Sequence, residues 1–281
     1  MSTFQNQFVG VFDSGVGGLS VSREIHRLIP NAPLYYIADQ AHVPYGKRQM
    51  DEIFTFSLAI SRFLISKGAG IIVVACNTAS AAALSALRET LPGTPFVGME
   101  PAVKPATLQT ESGIVGVLAT PATFQGRMYS TLVERFARNV RLLTNTLPGL
   151  VEAVERGELD SPATRRILEA AIKPMLAEGA DTLVLGCTHF PFVLPLIREI
   201  AGPNVKVIDP APAIARRTAY LLEQGAITFN ESSEVKTVFA TTGSPEKFKS
   251  AINCLLNIET EPIQLFWNET SDQLTEMRSQ A

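Results

Sequence analysis

Two segments of this chain repeat one pattern. Ile71-Ile72-Val73-Val74-Ala75-Cys76-Asn77-Thr78 is an uncharged, β-branched run that ends in a small residue, a cysteine and polar side chains. Thr182-Leu183-Val184-Leu185-Gly186-Cys187-Thr188-His189 does the same 111 positions later. A short apolar run bounded by turn residues and followed by a helical pattern reads as a buried strand of a parallel sheet. Parallel strands need crossovers, usually helical, which confines the chain to α/β architectures. Ligands of such sheets collect beyond the carboxyl ends of the strands, which is where both thiols fall. Two thiols in matching positions suit a reaction that handles a proton on two faces.

The rest of the chain keeps this alternation. Phe8-Val9-Gly10-Val11-Phe12 opens it, and Val21, Ile25, Leu28 and Ile29 follow at helical spacing. Leu34–Ala38, the run before Cys76, and Phe96–Met99 continue the strands. After Pro101 the pattern restarts with Ile114–Leu118, Val140–Leu143, the run before Cys187, and Val205–Ile208. Glu234–Ala240 adds a strand and a final helix follows. We therefore expect two similar α/β domains with mainly parallel sheets, facing each other across a central active-site cleft. Breaks near Glu100-Pro101 and Asp209-Pro210 give one domain of residues 1–100 plus 210–281 and another of residues 101–209.

Bulk properties exclude several classes. A length of 281 residues accommodates one large or two modest domains. A formal net charge of -3 gives no electrostatic case for nucleic-acid binding. The N-terminus lacks a basic region followed by an apolar stretch, so no secretory signal is read. Gly68 to Leu87 runs without a charge for a membrane-span length, but its polar residues and its change from β-branched to Ala-rich fit a strand, a turn and a helix better. The three cysteines, Cys76, Cys187 and Cys254, form a sparse, odd set that points to reduced thiols in a cytoplasmic protein. Cys254 sits in a helical pattern and is read as a small buried hydrophobe.

The strand ends carry Asp13, Asp39, Cys76, Thr120, Cys187 and Asp209. Asp13-Ser14-Gly15-Val16-Gly17-Gly18 is a glycine-rich turn whose backbone N–H groups could hold an anion, or simply form a tight turn. It lacks the Gly-Lys-Ser/Thr of a Walker A loop, and Ser20 stands where a dinucleotide fingerprint needs its third glycine. Asp13 could cap a helix, or orient or accept a proton beside a thiol. His189, two residues after Cys187, could favour a thiolate or relay protons. It could also ligate metal, yet His26 and His42 are remote and too few ligands are local. Asp39 to Gly46 is a polar loop, either a ligand clamp or a surface turn. Two cysteines also permit a disulfide, a nucleophile with a spare, or plain packing, and spacing leaves these open. A thiol with an ordinary pKa near about 8.5 can serve as acid or base at neutral pH.

Five signatures in one order go further: Gly10 to Val21, Val43-Pro44-Tyr45-Gly46, Ala75 to Ala81, Glu100-Pro101-Ala102-Val103, and Gly186 to Pro191. Along nearly its whole length the chain resembles the cofactor-independent aspartate/glutamate racemase superfamily, and within it the glutamate racemases. The resemblance implies interconversion of L- and D-glutamate without pyridoxal phosphate or metal, supplying D-glutamate for peptidoglycan. It implies that Cys76 takes the α-proton of D-glutamate and Cys187 that of L-glutamate. Asp13 would assist Cys76; His189 and Glu152, the latter matched through Leu150-Val151-Glu152, would assist Cys187. Asp13, Ser14, Tyr45, Gly46, Asn77, Thr78, Thr120, Thr123, Thr188 and His189 would bind the substrate. It also implies a homodimer, with no membrane or nucleic-acid partner. The chain departs from the pattern at Asn145–Leu150, at Phe190 in place of a frequent Tyr, and at Gln40, where Thr is common after the aspartate.

Three other readings stand beside it. Aspartate racemisation uses the same thiol pair, and the two substrates differ by one methylene, worth about 1–3 kcal/mol in a pocket. A binding or regulatory protein on this fold, such as a gyrase inhibitor, would not need Cys76, Cys187, Asp13 and His189 together. A thiol–disulfide protein would be expected to carry Cys-X-X-Cys, which is missing.

Overall fold

Strands β1 (Phe8–Asp13), β2 (Leu34–Ala38), β3 (Ala69–Val74) and β4 (Phe96–Gly98) open the chain in the computed structural model, which describes residues 7–225, 236–268 and 273–276. β5 (Ile114–Ala119), β6 (Arg141–Asn145), β7 (Thr182–Gly186) and β8 (Lys206–Ile208) follow, and β9 (Thr237–Thr241), β10 (Ile263–Asn268) and β11 (Gln273–Glu276) close it. They form two sheets, ordered β11-β10-β9-β2-β1-β3-β4 and β6-β5-β7-β8. Every pairing is parallel except β10 with β11. The expected α/β class and the two facing units hold.

Side-chain alternation explains how the central strands are buried on both faces. Val9 and Val11 of β1, Tyr36 of β2, and Ile71 and Val73 of β3 enter one core. Phe8 and Phe12, Tyr35 and Ile37, and Ile72 and Val74 enter the opposite one. This is the period of two in a strand covered on both sides. The first core runs on into Leu118, Leu183, Leu185 and Phe190 of the second unit, so apolar burial joins the two units directly. The helix Ala211–Glu223 returns from the second sheet and packs on the helix Leu19–Leu28 of the first.

Some expectations need revision. The uncharged stretch from Gly68 is β3 followed by the helix Asn77–Thr90, and among the described residues no helix is long and apolar enough to cross a membrane. The expected strand Glu234–Ala240 begins at Thr237, and Glu234 and Val235 lie outside the described residues. The helix Pro245–Leu256 is not the last element, because β10 and β11 follow it. Cys254 is exposed on that helix, not buried. Its helical pattern was legible, but its neighbours Phe248, Ile252 and Leu255 take the inward face.

Candidate active site

Register sets the site. Phe12 pairs with Val74 and Asp13 with Ala38, so Asp13, Asp39 and Cys76 emerge at one edge of the first sheet. In the second sheet Ala119 pairs with Gly186, which sets Thr120 beside Cys187. The two edges meet. The hydroxyls of Thr78 and Thr120 lie 2.8 Å apart across the junction, and Thr120 Oγ1 is 2.9 Å from Thr123 Oγ1. Thr188 donates to Asp13 Oδ1 at 3.3 Å, and Ser20 Oγ donates to the Thr188 carbonyl at 3.0 Å. Both Cys76 and Cys187 are buried.

Glycines allow this approach. A Cβ on Gly17 would stand 2.5 Å from His189 Nδ1 and from Thr188 Oγ1, and one on Gly15 would stand 2.0 Å from Glu155 Oε1. The glycine-rich turn thus lays bare backbone against the second unit. Tyr36 pins it by donating to the Gly15 carbonyl at 2.7 Å. At the rim, a Cβ on Gly46 would come 3.0 Å from Thr120 Cβ.

The two thiols have different neighbours. Cys76 caps the helix Asn77–Thr90: the Ala79 N–H donates to Sγ at 3.4 Å, and the thiol faces Ser14 Oγ at 3.8 Å. Burial pushes this thiol well above its ordinary value, and the Asp13 carboxylate and the Cys187 charge add to the rise. Asp13 makes no hydrogen bond to it. Burial raises the Asp13 carboxyl too, against the His189 charge and the Gly15 and Gly18 N–H groups.

Cys187 instead faces a row of groups. Its Sγ lies 3.6 Å from His189 Nδ1, and the opposite ring nitrogen, Nε2, is 2.7 Å from Glu155 Oε1. Burial pulls His189 down, but hydrogen bonds to Cys187 and Glu155 and their charges outweigh it, so the imidazole is raised well above its ordinary value. Burial likewise opposes the charge of Glu155, yet the His189, Val16 N–H and Gln40 bonds leave this carboxyl below its usual range. The result is an imidazolium held between a thiol and an ionised carboxylate. Among the described residues no His, Cys, Asp and Glu group is arranged to hold a metal ion.

The carboxylate against His189 is Glu155. Glu152, to which the resemblance gave this place, lies one turn earlier on the helix Leu150–Glu155 and points to the rim, where Lys47 Nζ pairs with it at 2.7 Å. A motif match along Leu-Val-Glu cannot choose between glutamates three residues apart on one helix, which share a face. Tyr45 is buried with its hydroxyl donating to Asp39 Oδ2 at 2.6 Å, so that hydroxyl is spent within the loop. Gly46 and Ser14 lie at the junction, and Thr123 is buried behind Thr120. Asn77 is buried beside Cys76, and among the described residues neither its amide nitrogen nor its oxygen has a partner. An unpaired buried amide costs about 1–3 kcal/mol, which a polar ligand in the cleft would recover.

Comparison with known proteins agrees with this geometry. Residues 10–218 match the family described as Asp/Glu/hydantoin racemase. The glutamate racemase of Roseiflexus sp. (strain RS-1) is 48% identical over 88% of this chain and 91% of its own length. The crystal structure of glutamate racemase isoform RacE1 from Bacillus anthracis superposes with a TM-score of 0.83 at 33% identity, covering 93% of this chain and 98% of that one. Escherichia coli glutamate racemase, solved with L-glutamate and the activator UDP-MurNAc-ala, superposes with a TM-score of 0.79 at 34% identity, covering 88% and 94%.

Proposed function

The chain belongs to the Asp/Glu/hydantoin racemase family, and from that premise we propose that it interconverts L- and D-glutamate by two thiols and no cofactor, supplying D-glutamate for peptidoglycan precursors. One observation carries the mechanism: the ends of β3 and β7 bring two buried thiols to one junction, each with a different set of proton-holding neighbours.

In the direction from L to D, the Cys187 thiolate takes the α-proton of L-glutamate. The C–H electron pair becomes a carbanion delocalised into the α-carboxylate, and the Cys76 thiol delivers its proton to the opposite face. The return reaction exchanges the roles. The His189 imidazolium, held by Glu155, is proposed to counter the charge at Cys187; the rise that burial imposes on Cys76 keeps it a proton donor. Thiols with ordinary pKa values are far weaker bases than an α-carbanion, so charge developing there must be met by preorganised donors. Ser14, Asn77, Thr78 and Thr188, with the backbone of Tyr45 and Gly46, are proposed to bind the substrate, and Asn77 has its amide unspent. Thr120 and Thr123 hold Thr78 and face the substrate through it. Asp13 is proposed to act between the thiols, since it bonds to Thr188 and its charge reaches Cys76.

The division into residues 1–100 with 210–281 and residues 101–209 remains our proposal for the two domains; the membership of the two sheets supports it. Each cysteine is only 5% exposed, and we propose that substrate is admitted by a relative movement of the two units. A homodimer in the cytoplasm is proposed from the resemblance and the three free thiols, and sedimentation of the purified protein tests the dimer. The test of activity is incubation with L-glutamate in D₂O without cofactor, followed by NMR and optical rotation, with L-aspartate in parallel. Deuterated, racemic glutamate and untouched aspartate are expected. Exchange of aspartate alone transfers the activity to that substrate, and inert samples of folded, reduced protein overturn the reading.

A further inference from the structure

The row behind Cys187 does not end at Glu155. Glu155 Oε1 receives His189 Nε2 and the Val16 N–H, at 2.7 and 2.8 Å. Oε2 receives Gln40 Nε2 at 3.2 Å, and among the described residues it has no other donor. The far end of the Gln40 amide is also engaged: Thr241 Oγ1 donates to Gln40 Oε1 at 2.9 Å. Thr241 Oγ1 in turn accepts from the Gly243 N–H at 3.0 Å, so its own hydrogen is free to be given to the amide oxygen. A carboxylate can only accept, so the amide nitrogen must be the end that faces Glu155.

We propose that Gln40 is a positioning residue for the Cys187 half-reaction, braced by Thr241 so that Glu155 presents its other oxygen squarely to His189. The proposal rests on the racemase reading for its kinetic consequence, but its geometry does not. Two strand ends and one helix end meet in it. Gln40 follows β2 and reaches across to Glu155, which ends a helix of the second unit, while Thr241 ends β9 and bonds to Gln40 from behind. The neighbouring loop is fastened to the same place, because Thr242 donates to Asp39 Oδ1 at 2.7 Å and Ala41 N–H donates to Thr242 Oγ1 at 3.0 Å. The end of β9 thereby fixes the orientation of a carboxylate 86 positions earlier in the sequence. Without the amide, Oε2 loses its donor and the carboxylate gains freedom to turn about its terminal torsion. His189 would then no longer be held in line with Cys187.

The test uses Gln40→Leu, which is one atom shorter and removes both amide ends, and Thr241→Val, which removes the brace together with the acceptor of the Gly243 N–H. L- and D-glutamate have equal free energies in water, so kcat/KM must change equally in both directions. Q40L is expected to lower it by about tenfold or more, given the sensitivity of catalysis to misplaced groups, with T241V between Q40L and the parent. A general loss of structure gives the same fall, so isotope effects make the distinction. Slowing only the Cys187 step raises the effect on kcat/KM seen with L-[2-²H]glutamate and lowers that seen with D-[2-²H]glutamate. A Q40L value within twofold of the parent, a T241V enzyme equal to the parent, or isotope effects moving together would each overturn the proposal. Iodoacetamide labelling of folded protein at pH 7, read as the Cys187-to-Cys76 ratio by peptide mass spectrometry, needs no substrate. The ratio should fall in Q40L; an unchanged ratio overturns the proposal even if glutamate proves not to be the substrate.

Discussion

Cys76 and Cys187 stand at equivalent strand ends, but they are prepared for their proton in opposite ways. Around Cys76 the structure supplies burial, one backbone N–H, one hydroxyl and a nearby carboxylate, all of which save the hydrogen bonds favour the neutral thiol. Around Cys187 it supplies an imidazolium backed by an ionised glutamate. A similar strand-to-turn frame therefore holds a thiol pressed toward its neutral form on one side and a thiol facing an imidazolium on the other. The strand supplies the position of a reactive group, and residues from other parts of the chain supply its charge state.

The largest test removes each half. Cys76→Ala and Cys187→Ala should each reduce racemisation to background, measured by polarimetry from both enantiomers. Substantial racemisation by either variant would break the comparison, because one thiol would then be serving both faces. Next comes the backing of Cys187. Glu155→Gln should lower kcat/KM by about 10²-fold, the lower end of what a positioned acid–base group contributes. Glu152→Gln should lie within about threefold of the parent, because its pair with Lys47 is exposed at the rim and such pairs are worth at most about 1 kcal/mol. The reverse ranking would return the role to Glu152.

The asymmetry also has a signature in stability. His189 is raised above its ordinary 6.5, so its stabilising contribution is complete below that value and is lost as pH rises through the raised one. Glu155 is lowered from 4.5, so its contribution is present above that value and is lost as pH falls through the lowered one. Breaking this buried pair by Glu155→Gln should cost about 3 kcal/mol between roughly pH 5 and 6 and progressively less as pH rises through the raised His189 value, read by urea unfolding. A penalty that does not vary with pH would mean His189 is neutral in the folded protein. The smallest expected effect is that of Cys254→Ala. That thiol is exposed on the helix Pro245–Leu256, beside Gly157, and its loss should leave kcat/KM within twofold.

The positions of both thiols were legible in the sequence because uncharged β-branched runs leave little choice but a parallel strand, and a strand fixes where its last residue points. Asp13 and Thr120 followed from the same logic, His189 from its place two residues after Cys187, and Thr188 from the resemblance. Glu155 did not, since helical spacing lets Glu152 and Glu155 share a face and only the tilt of a six-residue helix against His189 separates them. Its spacing of three from Glu152 was the available signal. Gln40 stood out in the sequence only as a departure after Asp39. Its partners, Glu155 and Thr241, are far away along the chain, and no local pattern joins them. β10 and β11 escaped notice because Ile263–Asn268 mixes apolar and polar residues next to the edge strand, where burial on both faces is not required.

The most direct measurement follows solvent deuterium at low conversion of L-glutamate in D₂O. With one monoprotic base on each face, the first D-glutamate formed carries deuterium at the α-carbon, while the remaining L-glutamate keeps its proton. Deuterium appearing in L-glutamate as fast as in D-glutamate would mean that a single base exchanges its proton with solvent and serves both faces, and the division of labour between Cys76 and Cys187 would be contradicted.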